Sequence, residues 1–522
     1  MRSSRRGFIK GLTGLTAVGA GGCFTFGKGD KIRLAAVGVG GKGFSDWLPM
    51  IQSGKAEIVA FCDADANQMN LAQQRMDRLV KEGRIAERFN LFDSKIQFFD
   101  DYRKLFDAID SGKLKIDAMT VSTPDHAHAP IAITAMKKGI HVYVQKPLVR
   151  TLRELKMFED TAHDNGVITQ MGNQGAVLDS GRRCVEIIRS GIIGDITEVH
   201  AWTDRPVWPQ GLKAKAASQG AAMEIPKGLN WDAWLGVAKD RPYRGLYASL
   251  PKEVKGYDPW NLSPNVYHPF SWRAFYDFGC GAFGDMAVHM LNVPFRALEL
   301  QNVIRAETLA IEEKNDVSFP TRSKVKLVYA ARESKARPGV KLPECTVYWY
   351  DGDFKPDNSV MAQAIAQFGK LPNNGSYIVG SKGSIFLHND AGTKCSIMLK
   401  GESKFESLFT HEAAKDVARV IPFRSDASQG VEVNSGAKAR PANGHYVEFL
   451  DAIYGNGPVF KDVNSRCFCD IDFSIPIMEG ILVGCIAQQV PGVINWDSNA
   501  YKFDVAAAND LMVPYVRKGF EY

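Results

Sequence analysis

The run Ile32-Arg33-Leu34-Ala35-Ala36-Val37-Gly38-Val39-Gly40-Gly41-Lys42-Gly43 decides the fold of this chain. Its first six residues are apolar and β-prone, and its last six fit the pattern G-x-G-x-x-G. A second apolar run over residues 57–62 ends at Asp63, twenty positions after Gly43. A glycine loop between two strands, with an acid at this spacing, is typical of a dinucleotide-binding βαβ unit.

Each part of this unit has a mechanical role. The glycines permit a tight turn, close approach of a pyrophosphate to the backbone and close packing of helix on strand. The pyrophosphate then lies at the helix N-terminus, where free N–H groups and the helix dipole favour an anion. We therefore expect a dinucleotide to contact Gly38, Val39, Gly40 and Gly43, and its adenosine ribose to bind Asp63. An ordinary glycine-rich αβ turn is the alternative.

Strands and helices continue to alternate after Asp63. The pattern predicts a helix over 67–81, the cap and first turns of a helix over 99–106, a strand over 117–122, a helix over about 127–138 and a strand over 140–144. This alternation predicts a parallel, doubly wound α/β sheet, which binds ligands outside the carboxyl ends of its strands. Residues 38–43, Asp63, residues 122–128 and residues 145–147 should therefore line one crevice.

The character of the sequence changes from about Asn173. Tryptophans cluster between Trp202 and Trp272, and alternating β-type runs follow at residues 325–329 and 346–350. We predict a second, α+β domain on a large, mostly antiparallel sheet, and we interpret most tryptophans as core residues. The predicted division is a signal and linker over 1–29, a Rossmann domain over 30–171, and a substrate-binding and oligomerisation domain over 172–522.

The N-terminus is predicted to be an export signal. Ser4-Arg5-Arg6-Gly7-Phe8-Ile9-Lys10 matches a twin-arginine signal, with a basic tail as the alternative. We expect a periplasmic protein, or one anchored to the membrane by a lipid on Cys23; a plain cleavage site nearby is the other option. Twin-arginine export carries folded proteins, which suits a protein that leaves the cytoplasm with its nucleotide tightly bound.

Charge and cysteine content exclude several classes of function. Residues 1–22 hold four basic residues and no acid, so their removal lowers the formal net charge from +6 to +2. A nearly neutral protein gives no reason to expect nucleic acid or an anionic membrane surface as a partner. Eight of the nine cysteines lie beyond Cys23 without any C-x-x-C pair, and we interpret them as buried packing residues.

The first candidate catalytic element is Gln145-Lys146-Pro147, at a predicted strand end. The proline restricts Lys146 to an extended backbone, which fixes its position. An ammonium there can lie between the nicotinamide ribose and a substrate oxygen and polarise that oxygen. A solvated lysine in a turn is the alternative.

The second candidate element is the pair Asp285 and His289. They stand four residues apart, hence on one face of a helix that begins after a glycine-rich loop. A carboxylate and an imidazole there could act as orienting group and general base. A capping aspartate with a core histidine is one alternative. Half of a metal site is another, but no further ligands stand at recognisable spacing, so we expect no metal.

The chain resembles the Gfo/Idh/MocA oxidoreductase superfamily, and in particular its exported, tryptophan-rich bacterial branch, from residue 30 to 522. The resemblance rests on Gly38-Val39-Gly40-Gly41-Lys42-Gly43, Thr123-Pro124-Asp125-His126-Ala127-His128, Gln145-Lys146-Pro147-Leu148, Gly172-Asn173-Gln174-Gly175, Trp231-Asp232-Ala233-Trp234-Leu235-Gly236, Tyr267-His268-Pro269-Phe270-Ser271-Trp272-Arg273 and Asp285-Met286-Ala287-Val288-His289.

The resemblance implies roles for particular residues. The catalytic group would be Lys146, Asp285 and His289. Further cofactor contacts would come from Ser122, Thr123, Pro124, His128, Gln145, Lys146 and Asn173. His126 and His128 would lie beside the cofactor, with packing at a helix N-terminus as the alternative. Gln145 departs from the glutamate that most of the superfamily has, which leaves open how the charge of the lysine is tuned.

The expected activity is NAD-dependent oxidation of a hydroxyl-bearing carbon in a sugar, glycoside or cyclitol. NAD is expected rather than NADP, because Asp63 would repel a 2′-phosphate and no arginine follows within residues 64–68. One alternative is a glycosidase or lyase that acts through transient oxidation and elimination. Another is a non-catalytic protein that binds the cofactor or a sugar. We also expect a homo-oligomer.

Replacing both Arg5 and Arg6 by lysine should trap an unprocessed, folded, cofactor-loaded protein in the cytoplasm, because the arginine pair is the signal that the export route reads. Cell fractionation of the variant beside the native chain measures this. Export at the native rate would contradict the twin-arginine interpretation.

Overall fold

The computed structural model describes residues 30–85, 88–244, 266–389, 392–422, 443–460 and 465–522. The twin-arginine segment, Cys23 and Trp260 lie outside these residues, so the predictions made for them stay predictions.

The first domain is built on a parallel sheet. Its six strands are β1 (Ile32–Val37), β2 (Ala56–Cys62), β3 (Gln97–Phe99), β4 (Ala118–Val121), β5 (His141–Gln145) and β6 (Thr169–Gly172). Their order across the sheet is β3-β2-β1-β4-β5-β6, and every pairing is parallel. β1 and β4 are mostly buried, as expected for parallel strands covered on both faces. The chain order reverses between β1 and β4, where such sheets bind ligands.

Five helices cover this sheet: α1 (Gly41–Gln52), α2 (Asn67–Lys81), α3 (Tyr102–Asp110), α4 (His128–Lys137) and α5 (Leu152–Asn165). The predicted doubly wound domain is confirmed, and the helix predicted over 67–81 has those bounds. The structure differs near residue 99. Phe99 ends β3, and α3 begins only after Asp101, whose carboxylate accepts a hydrogen bond from the Arg103 amide.

The second domain carries a larger sheet. Its strands are β7 (Ile196–Trp202), β8 (Val303–Glu312), β9 (Arg322–Tyr329), β12 (Cys345–Asp351), β13 (Gly375–Gly380), β14 (Gly383–Leu387), β15 (Cys395–Leu399), β16 (Glu406–Ser407), β17 (Val493–Asp497) and β18 (Lys502–Phe503), and a separate short hairpin holds β10 (Arg332–Glu333) and β11 (Lys341–Leu342). The order is β16-β15-β14-β13-β7-β12-β9-β8-β17-β18. Among these described strands only the pair β7 and β12 is parallel, so the prediction of a mostly antiparallel sheet is confirmed.

The helices of this half are α6 (Asp179–Arg189), α7 (Leu212–Ser218), α8 (Trp231–Leu235), α9 (Gly281–Met290), α10 (Asn292–Ala297), α11 (Ala362–Phe368), α12 (Glu412–Lys415), α13 (Asn443–Ile453), α14 (Ile471–Gln489) and α15 (Ala506–Asp510). By length and composition, α14 is the one described helix that could cross a membrane. However, 78% of its apolar window is buried inside the protein, where it packs against α5, α9 and β8.

Most tryptophans are core residues, as predicted. All eight that the structure describes are at most 6% exposed. One cluster joins Trp208, Trp231, Trp234 and Trp272 with buried tyrosine and phenylalanine rings, and the indoles of Trp231 and Trp234 stack with centroids 4.8 Å apart. Residues 267–280 contribute several rings to this cluster and extend from it to the carboxyl ends of the strands of the first domain.

A late helix returns to the first domain. α13 packs against α1, and Asp451 forms an ion pair with Lys55. The hydroxyl of Tyr454, just beyond α13, donates a hydrogen bond to the carbonyl of Asp30 at 2.7 Å. The first domain therefore depends on residues far along the chain for part of its packing.

Candidate active site

The glycine loop between β1 and α1 lies flat against the end of β4. Gly38 has a φ of 83°, and a Cβ there would lie 2.5 Å from the Ser122 carbonyl oxygen. A Cβ on Gly43 would lie 1.8 Å from the Gly38 carbonyl oxygen. The Trp47 indole of α1 donates a hydrogen bond to the Val39 carbonyl at 3.1 Å, which fixes the loop against the helix. No larger residue than glycine fits at these two positions without moving the backbone.

Asp63 closes the glycine loop from the end of β2. Its carboxylate accepts hydrogen bonds from the backbone amides of Val39 at 2.8 Å and Asp65 at 3.0 Å. Burial raises the pKa of Asp63 to about 6, although these hydrogen bonds favour the charged form. The contact with Val39 is a structural role that the sequence prediction did not include, while the predicted contact with a ribose stays a prediction.

The second domain covers the same strand end. The amide of Asn230 donates to the Ala64 carbonyl at 2.7 Å, and that of Ala66 donates to the Gly228 carbonyl at 2.9 Å. Asp65 accepts hydrogen bonds from His268 at 3.0 Å and Gln68 at 2.9 Å. Although burial opposes its ionisation, these two hydrogen bonds lower the pKa of Asp65 to about 2. The predicted adenosine end of the crevice is therefore walled by residues 228–230 and His268.

The catalytic residues that the sequence predicted come together across the two domains. Lys146, just after β5, donates through Nζ to the Asp285 carboxylate at 2.8 Å and to the Asp285 carbonyl at 2.9 Å. Arg273 Nε lies 3.5 Å from the same carboxylate. Burial opposes ionisation, but the charges of Lys146 and Arg273 hold the pKa of Asp285 well below its usual range. Asp285 and His289 share α9, one turn apart.

Arg273 is held by aromatic rings beside this pair. Its guanidinium carbon lies 4.2 Å from the ring centroids of both Phe270 and Trp272. Such cation–π contacts fix a planar cation without using its hydrogen-bond donors. Arg273 was not predicted as a site residue, because nothing in the local sequence shows that it meets Asp285.

A second buried acid lies at the same place. Asp125, in the turn after β4, accepts a hydrogen bond from the amide of Cys280 at 3.1 Å. Cys280 is the N-cap of α9, so Asp125 fixes the start of the helix that bears Asp285 and His289. Burial raises the pKa of Asp125 to about 7, with the charge of Arg273 acting in the opposite direction. Asp125 was also not predicted as a site residue.

The two histidines near Asp125 are buried. His126 Nε2 lies 3.0 Å from the Trp234 carbonyl, and its ring packs against Phe278. Both nitrogens of His128 face carbonyl oxygens, that of Pro147 at 2.8 Å and that of Thr123 at 2.9 Å. Burial lowers the pKa of His126 to about 3 and that of His128 to about 4. His128 thus connects the turn after β4, at Thr123, with the turn after β5, at Pro147.

The remaining predicted cofactor residues line the sheet edge. Ser122 Oγ and Gln145 Nε2 both donate to the carboxylate of Asp46, at 2.8 and 2.9 Å. Thr123 and Pro124 form the turn between β4 and the short helical turn 125–127. Asn173, after β6, donates through Nδ2 to the Val288 carbonyl at 3.1 Å, next to His289.

Several groups at this edge fit a dinucleotide. The side-chain oxygens of Thr123 and Asn173 are buried and lack a hydrogen-bond partner in the described structure. The N-terminus of α1 has Gly40 as its N-cap and receives no side-chain cap. Buried polar atoms without partners, beside an uncapped helix N-terminus, suit the hydroxyls and phosphates of a nucleotide. In the part of the chain described, no group of three or more His, Cys, Asp or Glu side chains could hold a metal ion.

One positioning feature could have been found from the sequence. Thr151 and Glu154 form a capping box at α5, with the Glu154 amide donating to Thr151 Oγ1 at 3.2 Å and the Thr151 amide donating to Glu154 Oε2 at 2.9 Å. This capping box fixes the start of α5, and so fixes the short segment that connects Lys146 and Pro147 to that helix.

The chain is similar in sequence to known proteins over part of its length. The family model described as "Oxidoreductase family, NAD-binding Rossmann fold" (Gfo/Idh/MocA) matches residues 32–173. A glycosyl hydrolase family 109 protein of Akkermansia muciniphila is 30% identical over 166 residues, which is 32% of each chain. A glycosyl hydrolase family 109 protein of Solibacter usitatus is 30% identical over 211 residues, 38% of this chain and 44% of that one. The chain thus spans less than half the length of these curated relatives.

Among solved structures, the WlbA dehydrogenase of Bordetella pertussis in complex with NADH and UDP-GlcNAcA superposes with a TM-score of 0.50 at 14% identity, over 90% of this chain and 99% of that one. At this identity the likeness concerns the fold, and it extends over both domains. The matched residues 32–173 contain the glycine loop, Asp63, the turn after β4 and Lys146. Residues 32–173, the first domain, therefore match the model of the Gfo/Idh/MocA oxidoreductase family, an NAD-binding Rossmann fold.

Proposed function

We propose that this protein is an exported NAD-dependent oxidoreductase that transfers hydride between nicotinamide and a hydroxyl-bearing carbon of a sugar, glycoside or cyclitol. The observation that carries the proposal is the pairing of Lys146 with Asp285 at 2.8 Å, at the edge of the sheet where a dinucleotide would bind. One partner comes from the Rossmann domain and the other from the helix that also bears His289. Substrate and cofactor would meet beside this pair, between the end of β5 and α9.

The side chains divide the work on the hydroxyl proton. His289, one turn from Asp285, would accept the proton as general base. Lys146 would polarise the oxygen that carries it. Asp285 stays ionised because Lys146 and Arg273 hold its pKa well below the usual range. Its carboxylate can therefore orient Lys146 and accept a hydrogen bond from a neighbouring hydroxyl of the substrate. NAD, when bound, supplies the nicotinamide ring that accepts the hydride.

The choice of a polyol substrate rests on the surroundings of this group. The partly exposed ring of Phe270 lies beside Asp285, with its centroid 4.2 Å from the guanidinium carbon of Arg273. Aromatic faces, a fixed cation and a carboxylate together suit a ring that presents apolar C–H faces and several hydroxyls. The wall of residues 228–230 and His268 over the end of β2 supports slow release of the cofactor, as an exported enzyme requires.

A second candidate is a glycosidase or lyase that uses transient oxidation, elimination and re-reduction. The name glycosyl hydrolase family 109 of the relatives favours it, although the matched part is about a third of each chain. The same base and lysine would serve both reactions. Product analysis separates them, because net oxidation accumulates a keto-sugar, whereas the second reaction cleaves a glycoside without net NADH.

Replacing His289 by alanine should lower kcat by about two to four orders of magnitude while NAD stays bound, because it removes only the base. Replacing Lys146 by alanine should lower kcat and also weaken NAD binding. Because both act on one oxygen, the double variant should be much less impaired than the product of the single defects. Steady-state turnover and direct NAD binding measure these effects. Near-native oxidation by His289→Ala would contradict the mechanism.

The protein should bind NAD in preference to NADP, because the Asp63 carboxylate repels a 2′-phosphate. Since burial raises the pKa of Asp63 to about 6, NAD affinity should fall as the pH drops through 6 and the carboxylate is protonated. Titration of both nucleotides between pH 5 and pH 8 measures this. Asp63→Asn should bind NAD with an affinity that no longer changes near pH 6, and should lose part of the preference for NAD over NADP. If the native chain prefers NADP, Asp63 does not contact the ribose as we propose.

A further inference from the structure

A fully buried carboxylate lies beneath the glycine loop. Asp46, on α1, has no solvent exposure and takes no part in the chemistry described above. One of its oxygens accepts hydrogen bonds from Lys42 Nζ and from the Tyr446 hydroxyl, the latter at 2.8 Å. The other accepts from Ser122 Oγ at 2.8 Å and Gln145 Nε2 at 2.9 Å.

This arrangement suits an ionised carboxylate. All four neighbours donate, two to each oxygen, and an ionised carboxylate accepts without donating. A buried charge is tolerated only when it is paired and hydrogen-bonded, and Lys42 supplies the pairing cation. Because every acceptor position is used, loss of one donor or of the charge disturbs the other contacts.

The four donors come from different parts of the cofactor edge. Lys42 lies in the first turn of α1, within the glycine motif of residues 38–43, Ser122 follows β4, Gln145 ends β5, and Tyr446 belongs to α13. Ser122 is also the residue against which Gly38 packs. One carboxylate therefore joins the loop that would hold the pyrophosphate to the two strand ends that would hold the nicotinamide ribose.

The amide of Gln145 is fixed on both sides. It donates to Asp46, and a Cβ on Gly172 of β6 would lie 2.4 Å from Gln145 Nε2. The next residue is Lys146, whose ammonium meets Asp285. A glutamate in place of Gln145 would set two carboxylates against each other, and such a pair keeps a shared proton because both cannot ionise.

We propose that Asp46 is a positioning residue for the reaction: through Gln145 and Ser122 it fixes the strand ends that carry Lys146 and the cofactor site. The proposal rests on the proposed function, since it gives Asp46 a role only if NAD binds at this edge. It requires one acid and one amide at positions 46 and 145. An acid at both positions, or an amide at both, should fail.

The test compares Asp46→Asn, Gln145→Glu and the double variant that carries both substitutions, which has the amide at position 46 and the acid at position 145. NAD affinity is measured by calorimetry on protein freed of nucleotide, at pH 5.5 and pH 8. Each single variant should bind NAD about tenfold more weakly or worse at pH 8, the range expected for a lost hydrogen bond to a charged group. At pH 5.5, where the shared proton is retained, the affinity of Gln145→Glu should approach that of the native chain measured at the same pH. The double variant should bind NAD more tightly than the product of the two single losses predicts, because it again pairs one acid with one amide. It should remain weaker than native, because Lys42 loses its carboxylate partner.

Asp117→Asn is the matched control. Asp117 is 2% exposed, lies just before β4 at the opposite edge of the same sheet, and accepts from Arg33 Nε at 2.9 Å. This variant should lower the melting temperature and leave NAD affinity unchanged. A double variant no better than the product of the single losses, or a ratio of Gln145→Glu to native affinity that is the same at pH 5.5 and pH 8, overturns the proposal.

Two further outcomes are decisive. If Asp46→Asn does not fold, the pH dependence of Gln145→Glu alone decides, because that variant keeps the charge of Asp46. A native chain that binds no NAD overturns the proposed function itself, and with it this role. Native binding of NAD without recovery in the double variant removes only the role of Asp46.

Discussion

The ion pair between Lys146 and Asp285 is the contact on which the candidate site depends. It joins the end of β5 to α9, and so joins the Rossmann domain to the second domain at the edge where a dinucleotide would bind. Both side chains are largely withdrawn from water, so the pair is screened far less than a surface ion pair. Asp125 reinforces the join by accepting a hydrogen bond from the start of α9. The position of His289 follows from these contacts, because it lies one turn along the same helix.

The charges around this pair separate two kinds of carboxyl group. Asp285 lies against Lys146 and Arg273, which keep its pKa low despite burial. Asp125 is also buried near these cations, and its carboxylate accepts a hydrogen bond from a backbone amide. Burial outweighs these contacts and raises the pKa of Asp125 to about 7. A site with one permanently charged acid and one that titrates near neutrality can hold a fixed negative charge and still respond to an incoming hydroxyl or cofactor.

The sequence predicted the features that depend on local patterns. The glycine loop, the alternation of strands and helices, and the i, i+4 spacing of Asp285 and His289 are all set by near neighbours, and the parallel sheet and α9 agree with them. The contacts of Asp46 with Tyr446, of Asp125 with Cys280 and of Asp65 with His268 could not be predicted. They join residues that are distant in the chain, and each partner is an ordinary polar residue until the fold brings the two together. The roles of His126 and His128 were left open for the same reason, because their packing depends on Trp234, Phe278 and the turn at Pro147.

The central claim is that the cofactor and the acid–base group share one edge of the parallel sheet. The most direct test is a crystal structure of the full chain with its nucleotide bound. We expect the pyrophosphate at the N-terminus of α1 and the nicotinamide ribose within hydrogen-bonding distance of Lys146, with Asp285 and His289 facing the ring. A nucleotide bound at any other edge, or a nicotinamide ring remote from Lys146, would contradict the claim.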